Sequence, residues 1–188
     1  NPGFGHGHSQ KTNTGGEGSK HGIWHEAIPD VLQRAEWAGL AVTGLHMHIG
    51  SGADLNHLAT VADSLERTAR DIGRSLTMIS AGGGLPVPYQ EGEHRADLSE
   101  YFKLWDTTRK RLEDSFGHRI RLEIEPGRYL TAEAGILVTE VRAMKRQGSK
   151  KDLLVDAGFH TLARPVLYGS YHPCLLYTSP SPRDHQPS

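Results

Sequence analysis

The chain has 188 residues, with 21 basic and 22 acidic side chains, a formal net charge of −1 and a single cysteine, Cys174. Because no basic stripe is present, we do not expect it to bind nucleic acid, and one cysteine excludes an intrachain disulfide framework. No apolar run reaches the roughly 18 residues of a membrane span, and no signal peptide opens the sequence. The sequence therefore predicts a cytoplasmic protein that does not bind membranes.

Apolar periodicity predicts alternating helices and strands along the first two thirds of the chain, after a glycine-rich loop at 3–22. The predicted helices cover 26–38, 55–72 and 98–115, and the predicted strands cover 40–49, 76–80 and 120–124. Each strand ends in a glycine-bearing loop, and this alternation is typical of parallel βαβ units. In a parallel barrel, the loops that follow the strands build the active site.

The pattern changes after about residue 135. Residues 135–144 and 152–155 are predicted as strands, and the polar, glycine-containing connection 145–151 is typical of a hairpin. We interpret this region as the start of a separate antiparallel domain.

The loops after the three predicted strands carry groups that suit a phosphate. Residues 50–52, 82–84 and 127–128 offer unobstructed backbone N–H groups, Ser51 adds a hydroxyl, and Arg128 adds a guanidinium. A single glycine triplet is more often only a tight turn. Three in succession favour phosphate binding.

His46 and His48 are two residues apart in a predicted strand, so both rings should lie on the same face. A metal site would need a third ligand, for which the sequence offers several candidates but no motif: His6, His8, His21 and His25. The other interpretations are a histidine stacked on an aromatic cofactor and a hydrogen-bonded core histidine.

Glu123 and Glu125 flank Ile124 near the end of an apolar strand. A carboxylate inside a barrel needs a cationic or protonated partner, and a pyridinium nitrogen would serve. The alternative is a salt bridge to Arg121 or Arg128.

Five segments of the sequence resemble diaminopimelate decarboxylases, a branch of the pyridoxal-phosphate-dependent decarboxylases. They read NPGFGHGHSQKTNTGGEGSKHG at 1–22, HMHIGSG at 46–52, ISAGGGLPVPY at 79–89, LEIEPGRYL at 122–130 and LVDAGFHTLARPVLYGSYHP at 154–173. The resemblance implies an α/β fold: part of a (β/α)8 barrel of the alanine-racemase type at 1–134, followed by the start of an antiparallel β-domain at 135–173.

The resemblance also implies a cofactor, pyridoxal phosphate, and the residues that bind it. His48 would stack on its ring, and Glu125 would pair with its pyridine nitrogen; these are the two expected catalytic residues. The other expected cofactor contacts are Ser51, Gly82, Gly83, Gly84, Pro126, Gly127 and Arg128. Arg128, Arg164 and Tyr168 are expected to bind the carboxylates of an amino-acid substrate. No metal is expected, and the family resemblance implies a homodimer.

The reaction implied is the conversion of meso-2,6-diaminoheptanedioate to L-lysine and carbon dioxide. The alternatives are an ornithine or arginine decarboxylase of the same fold, a racemase, and a non-catalytic pyridoxal-phosphate-binding protein. The racemase is disfavoured because that branch typically places arginine where Glu125 lies.

The chain is expected to be an internal fragment without activity of its own. The resemblance places the lysine that anchors the cofactor upstream of Asn1 and the partner-subunit cysteine in the later β-domain. None of the lysines here lies in the family's Schiff-base motif. Residues 174–188, which include Cys174, resemble a translated sequencing-library adapter rather than a natural Ser/Pro-rich tail, and we expect them to add nothing to the fold.

Overall fold

The computed structural model of the chain describes residues 1–6, 10–51, 54–73 and 75–177. Helices and strands alternate first: α1 (Ile28–Trp37), β1 (Gly44–His46), α2 (Leu55–Ile72), β2 (Met78–Ser80), α3 (Leu98–Phe116) and β3 (Arg121–Glu123). After them come α4 (Gly127–Thr131), β4 (Val141–Gln147), β5 (Lys150–Val155) and α5 (Arg164–Tyr168). Two short 3-10 helices, Gln10–Thr12 and His25–Ala27, precede α1.

The first sheet is parallel, with the strands in the order β1, β2, β3. His46 pairs with Ser80, and Ser80 pairs with Glu123, so the three strands end at the same level. An α/β architecture with parallel strands is thereby confirmed. The predicted strand 40–49 was too long, because the ladder begins only at Gly44, and Leu40 is 67% exposed directly after the turn that ends α1.

The helices α2 and α3 begin and end where local chemistry favours it. The side chain of Asp54 accepts a hydrogen bond from the backbone N–H of His57, and Asp97 caps α3 in the same way. Glycines at 73 and 117 follow their last turns with positive φ angles. The prediction of a helix at 55–72 is confirmed, and α3 is one residue longer than predicted. Within the described ranges, no helix combines the length and the apolar character that crossing a membrane requires.

The hydrophobic core lies between these two helices and the parallel sheet. Its largest fully buried side chains are Trp105, Leu65, Leu76, Ile79, Leu112 and Val61. Leu98 and Phe102 of α3 are 46% and 60% exposed. The buried stripe passes through Tyr101 and Trp105, and Phe102 lies about 100° around the helix from Tyr101.

The second sheet is an antiparallel pair, as predicted, but its bounds differ. β4 and β5 meet at a two-residue turn, Gly148 and Ser149, with Gln147 paired to Lys150. Residues 135–140 are not in a strand, whereas most of the predicted connection 145–151 is. Every side chain of β4 and β5 is exposed, so polar residues are tolerated there and hydrophobic patterning does not mark the strand ends.

Candidate functional site

A recess of about 220 Å³ lies where the three parallel strands end. Its walls come from the loops after β1, β2 and β3, and its lining residues are His48, Ser51, Gly83, Gly84, Leu85, Glu125, Gly127 and Arg128. The parallel register brings these loops together, although they are about 35 to 45 residues apart in the sequence.

His48 is held at the recess by the glycine loop after β2. The backbone N–H of Gly83 donates to His48 Nδ1 at 3.1 Å. Because Nδ1 accepts, the neutral ring carries its proton on Nε2. Burial lowers the pKa of His48 below its ordinary value. The residue therefore presents a neutral imidazole at this wall.

The glycines of the second loop are required by close backbone approaches. Gly82 has a φ of 63°, and a Cβ at this position would lie 2.5 Å from the carbonyl oxygen of Met47. A Cβ on Gly84, whose φ is 96°, would collide with the carbonyl oxygen of Gly50. Only glycine allows the loops after β1 and β2 to pack at this distance.

Glu125 lies two residues after the end of β3, and its backbone N–H donates to the carbonyl oxygen of Gly82 at 2.8 Å. Its Oε2 atom lies 3.9 Å from Nε2 of His46. The buried Ser80 hydroxyl accepts from the N–H of Gly82 at 3.2 Å and contacts His46 Nδ1 at 2.8 Å. Through this contact Ser80 fixes the orientation of the His46 ring beside Glu125.

The two predicted strand-end carboxylates therefore have different surroundings. Glu123 pairs with Arg121 at 2.7 Å, which is the salt bridge considered for this region. Among the described residues, neither Arg121 nor Arg128 forms an ion pair with Glu125. The carboxylate of Glu125 lines the recess, near both His46 and His48.

Arg128 is a half-buried cation in the recess wall. Burial lowers its pKa, and the neighbouring charge of Arg164 acts in the same direction. In the described part of the chain, no carboxylate forms a salt bridge with Arg128 or Arg164. Two guanidinium groups within electrostatic range of each other, both without an acidic partner there, favour an anionic ligand.

The other predicted site residues are not among those that line the recess. Gly82 and Pro126 are each next to a lining residue in the sequence but do not line the recess themselves. Gly52 falls outside the described residues. Arg164 donates to the hydroxyl of Tyr89, and Tyr168 is 36% exposed on α5. Sequence reasoning missed Leu85, whose only signal is its place directly after the glycine loop.

A possible metal site at His46 and His48 gains no third ligand among the described residues. The donor atoms of His6, Asp54 and His57 do lie within 4.8 Å of one another. However, the two imidazoles stack at 3.5 Å with planes 19° apart, so their in-plane lone pairs do not converge on one point. Asp54 already caps α2.

A larger depression of about 400 Å³ lies between α2 and α3. Its lining residues are Asp63, Glu100, Lys103, Leu104, Thr107, Thr108 and Arg111. It contains none of the predicted site residues and no glycine loop. The smaller recess at the strand ends is therefore the candidate site.

Residues 1–132 match the family model described as "pyridoxal-dependent decarboxylase, pyridoxal binding domain". The chain belongs to this family. It is 54% identical over 172 residues to diaminopimelate decarboxylase of Escherichia coli strain K12, covering 92% of this chain and 41% of that protein.

Solved structures of related enzymes show the same fold. A crystal structure of diaminopimelate decarboxylase superimposes with a TM-score of 0.87 at 53% identity, covering 92% of this chain and 41% of that one. A lysine decarboxylase from Selenomonas ruminantium superimposes with a TM-score of 0.69 at 27% identity, covering 87% and 43%. The chain thus spans about two fifths of the length of the relatives it matches.

The recess fits the cofactor of this family, pyridoxal phosphate. Its wall combines backbone N–H groups of a glycine loop and a guanidinium, which suit a phosphate, with a neutral imidazole and a carboxylate, which suit a pyridine ring. No lysine is among the residues that line it.

Proposed function

We propose that this chain forms the pyridoxal-phosphate-binding part of a diaminopimelate decarboxylase, a carboxy-lyase of lysine biosynthesis. The reaction is the conversion of meso-2,6-diaminoheptanedioate to L-lysine and carbon dioxide. The observation that carries the proposal is the single recess that collects His48, Glu125 and Arg128 from three neighbouring strand ends. The 54% identity to the Escherichia coli enzyme also supports the proposal.

His48 and Glu125 act on the ring of the cofactor. His48 offers a neutral imidazole face held in place by Gly83, and Glu125 holds a proton on the pyridine nitrogen. Bound pyridoxal phosphate supplies the electron-withdrawing ring that accepts the electron pair left when carbon dioxide departs. Nε2 of His46 lies 3.9 Å from Oε2 of Glu125 and helps to orient this carboxylate.

The phosphate is bound by the remaining wall of the recess. The contacting groups are the backbone and hydroxyl of Ser51, the loop Gly82, Gly83 and Gly84, the segment Pro126 and Gly127, and the guanidinium of Arg128. Arg128, Arg164 and Tyr168 bind the carboxylates of the amino-acid substrate. Arginine suits this task because its planar fork matches a carboxylate.

The architecture that we propose is a partial (β/α)8 barrel of the alanine-racemase type at 1–134, the start of a β-domain at 135–173, and a non-native tail at 174–188. The three parallel strands with intervening helices support the barrel, and the β4–β5 hairpin supports the second domain. We also propose a cytoplasmic homodimer. The family resemblance is what supports this assembly.

The test uses what we call the completed enzyme, in which the Escherichia coli relative supplies the parts of its length that this chain does not span. We expect carbon dioxide release from diaminopimelate, and little or none from ornithine, arginine or lysine. Preferential release from ornithine or arginine would identify a basic amino-acid decarboxylase instead. Cofactor binding without release from any of these substrates would identify a non-catalytic pyridoxal-phosphate-binding protein.

A further inference from the structure

A cluster of three side chains beside the recess joins two distant segments of the chain. Nη1 of Arg164 donates to the hydroxyl oxygen of Tyr89 at 3.1 Å and approaches Nε2 of His172 at 3.2 Å. The guanidinium carbon lies 5.2 Å from the centroid of the Tyr89 ring, and the rings of Tyr89 and His172 are 5.7 Å apart. Tyr89 follows the glycine loop after β2, whereas Arg164 begins α5 and His172 lies just beyond it.

The polarity of these contacts is fixed by arginine, which can only donate hydrogen bonds. The oxygen of Tyr89 must accept, so its own proton is free to point elsewhere. Nε2 of His172 must also accept, which places the ring proton on Nδ1, 3.4 Å from the carbonyl oxygen of Ser170. Both partners are neutral in this arrangement. They fix the direction of the Arg164 side chain without cancelling its charge.

Neutral partners matter because Arg164 lies within electrostatic range of a second cation. The charge of Arg164 acts on Arg128 in the recess wall, and so does the hydroxyl of Tyr89. Like charges repel, and a long arginine side chain has many rotamers through which it can move away. The ring of Tyr89 and the two acceptors oppose both tendencies and fix the position of the Arg164 guanidinium.

We propose that Tyr89 and His172 are positioning residues that hold the guanidinium of Arg164 beside Arg128, so that the two cations together receive a substrate carboxylate. The proposal rests on the proposed function, which assigns carboxylate binding to Arg128 and Arg164. It adds two residues that never contact the reacting atoms. Their effect is on substrate affinity and not on the chemical step.

The first experiment measures steady-state kinetics with diaminopimelate in the completed enzyme. Tyr89→Phe keeps the stacked ring and removes the hydroxyl, and we expect KM to rise about tenfold, since a hydrogen bond to a charged group is lost. The turnover number and the affinity for pyridoxal phosphate should hardly change. Tyr171→Phe is the matched control, because this nearby tyrosine is 52% exposed and outside the cluster.

His172 allows a test by conservative rescue. His172→Leu removes the acceptor and should raise KM in the same way, whereas His172→Gln places an amide oxygen near the position of Nε2 and should keep KM close to the reference value. An unchanged KM in Tyr89→Phe, or a loss of turnover with KM unchanged, would overturn the proposal. Failure of the proposed function has a different signature, because the unsubstituted completed enzyme would then release no carbon dioxide.

A second measurement does not depend on activity and uses the chain as it is. Phenylglyoxal modifies free guanidinium groups, and peptide mass spectrometry follows the reaction at Arg164. We expect Tyr89→Phe and His172→Leu to accelerate the modification of Arg164 several-fold, and Tyr171→Phe to leave it unchanged. Equal rates of Arg164 modification in all of these variants would overturn the proposal that Tyr89 and His172 hold Arg164, whatever the kinetics show.

Discussion

At the scale of single residues, Glu125 carries the most specific chemistry. Glu125→Gln in the completed enzyme keeps the size of the side chain but removes the charge that holds a proton on the pyridine nitrogen. We expect the turnover number to fall by about 100-fold or more, with pyridoxal phosphate still bound, because only the transition state loses stabilisation. Steady-state kinetics and cofactor absorbance on the same sample measure both. An unchanged turnover number would show that Glu125 is only a structural partner of His46.

His48 predicts a pH dependence of stability. Burial lowers its pKa in the folded state, so the unfolded chain takes up the proton first as the pH falls below about 6.5. The contribution of His48 is therefore complete above pH ~6.5 and is lost as the pH falls through the folded-state pKa, with a slope below the ~1.4 kcal/mol per pH unit that one proton sets as the limit. Urea unfolding between pH 7.5 and 5.5 measures this slope.

The control for this prediction is a pair of substitutions. His48→Gln should flatten the pH dependence, whereas His94→Gln, at an exposed position, should leave it as it was. A slope that is the same in His48→Gln and in the unsubstituted chain would assign the effect to other groups.

At the scale of elements, a comparison of two glycines distinguishes the cost of backbone strain from the cost of close packing. Gly82 and Gly148 have nearly equal φ angles, 63° and 61°, but only Gly82 has a backbone oxygen 2.5 Å from the position of a Cβ. Gly148→Ala should lower the free energy of unfolding by about 1 kcal/mol through the left-handed backbone alone. Gly82→Ala should lower it by a further ~1–3 kcal/mol, because the loops must move apart. Chemical denaturation of both variants measures the difference, and equal losses would contradict the packing argument.

The helices were predictable from the sequence and the strands only in part. For α2 and α3, capping aspartates, terminal glycines and a long apolar stripe all specify the same bounds. β1, β2 and β3 are three residues each, so their ends depend on the neighbouring strand and not on local preference. The predicted strand 40–49 failed for this reason. The ends of the β4–β5 hairpin were missed because its exposed faces carry no alternating pattern.

At the scale of the whole molecule, the recess predicts that the chain alone does not decarboxylate diaminopimelate. No lysine lines the recess in the described part of the chain, so nothing there attaches the cofactor covalently. We expect labelled diaminopimelate to release no more carbon dioxide with the chain than without protein. Borohydride reduction after incubation with pyridoxal phosphate should likewise leave no single lysine stoichiometrically modified. Release above the blank would contradict this prediction.

The end of the chain should add nothing to stability. Leu175 and Tyr177 are 92% and 83% exposed, and residues 178–188 lie outside the described ranges. Removing residues 174–188 should therefore leave the melting temperature within about 1 °C, as expected for surface changes away from packed features. Differential scanning calorimetry of the two chains checks this. A clear fall in melting temperature would show that the segment packs on the rest of the molecule.

The sequence by itself determined the α/β class, the two long helices, the glycine loops and the family, because each of these depends on residues close together in the chain. Only the tertiary structure decided which strand-end groups meet. The parallel register joins Ser80 to His46 and brings His46 to Glu125. The contact of Arg164 with Tyr89 spans 75 positions of sequence. A local pattern cannot encode such a contact, because it forms only when packing brings the two segments together.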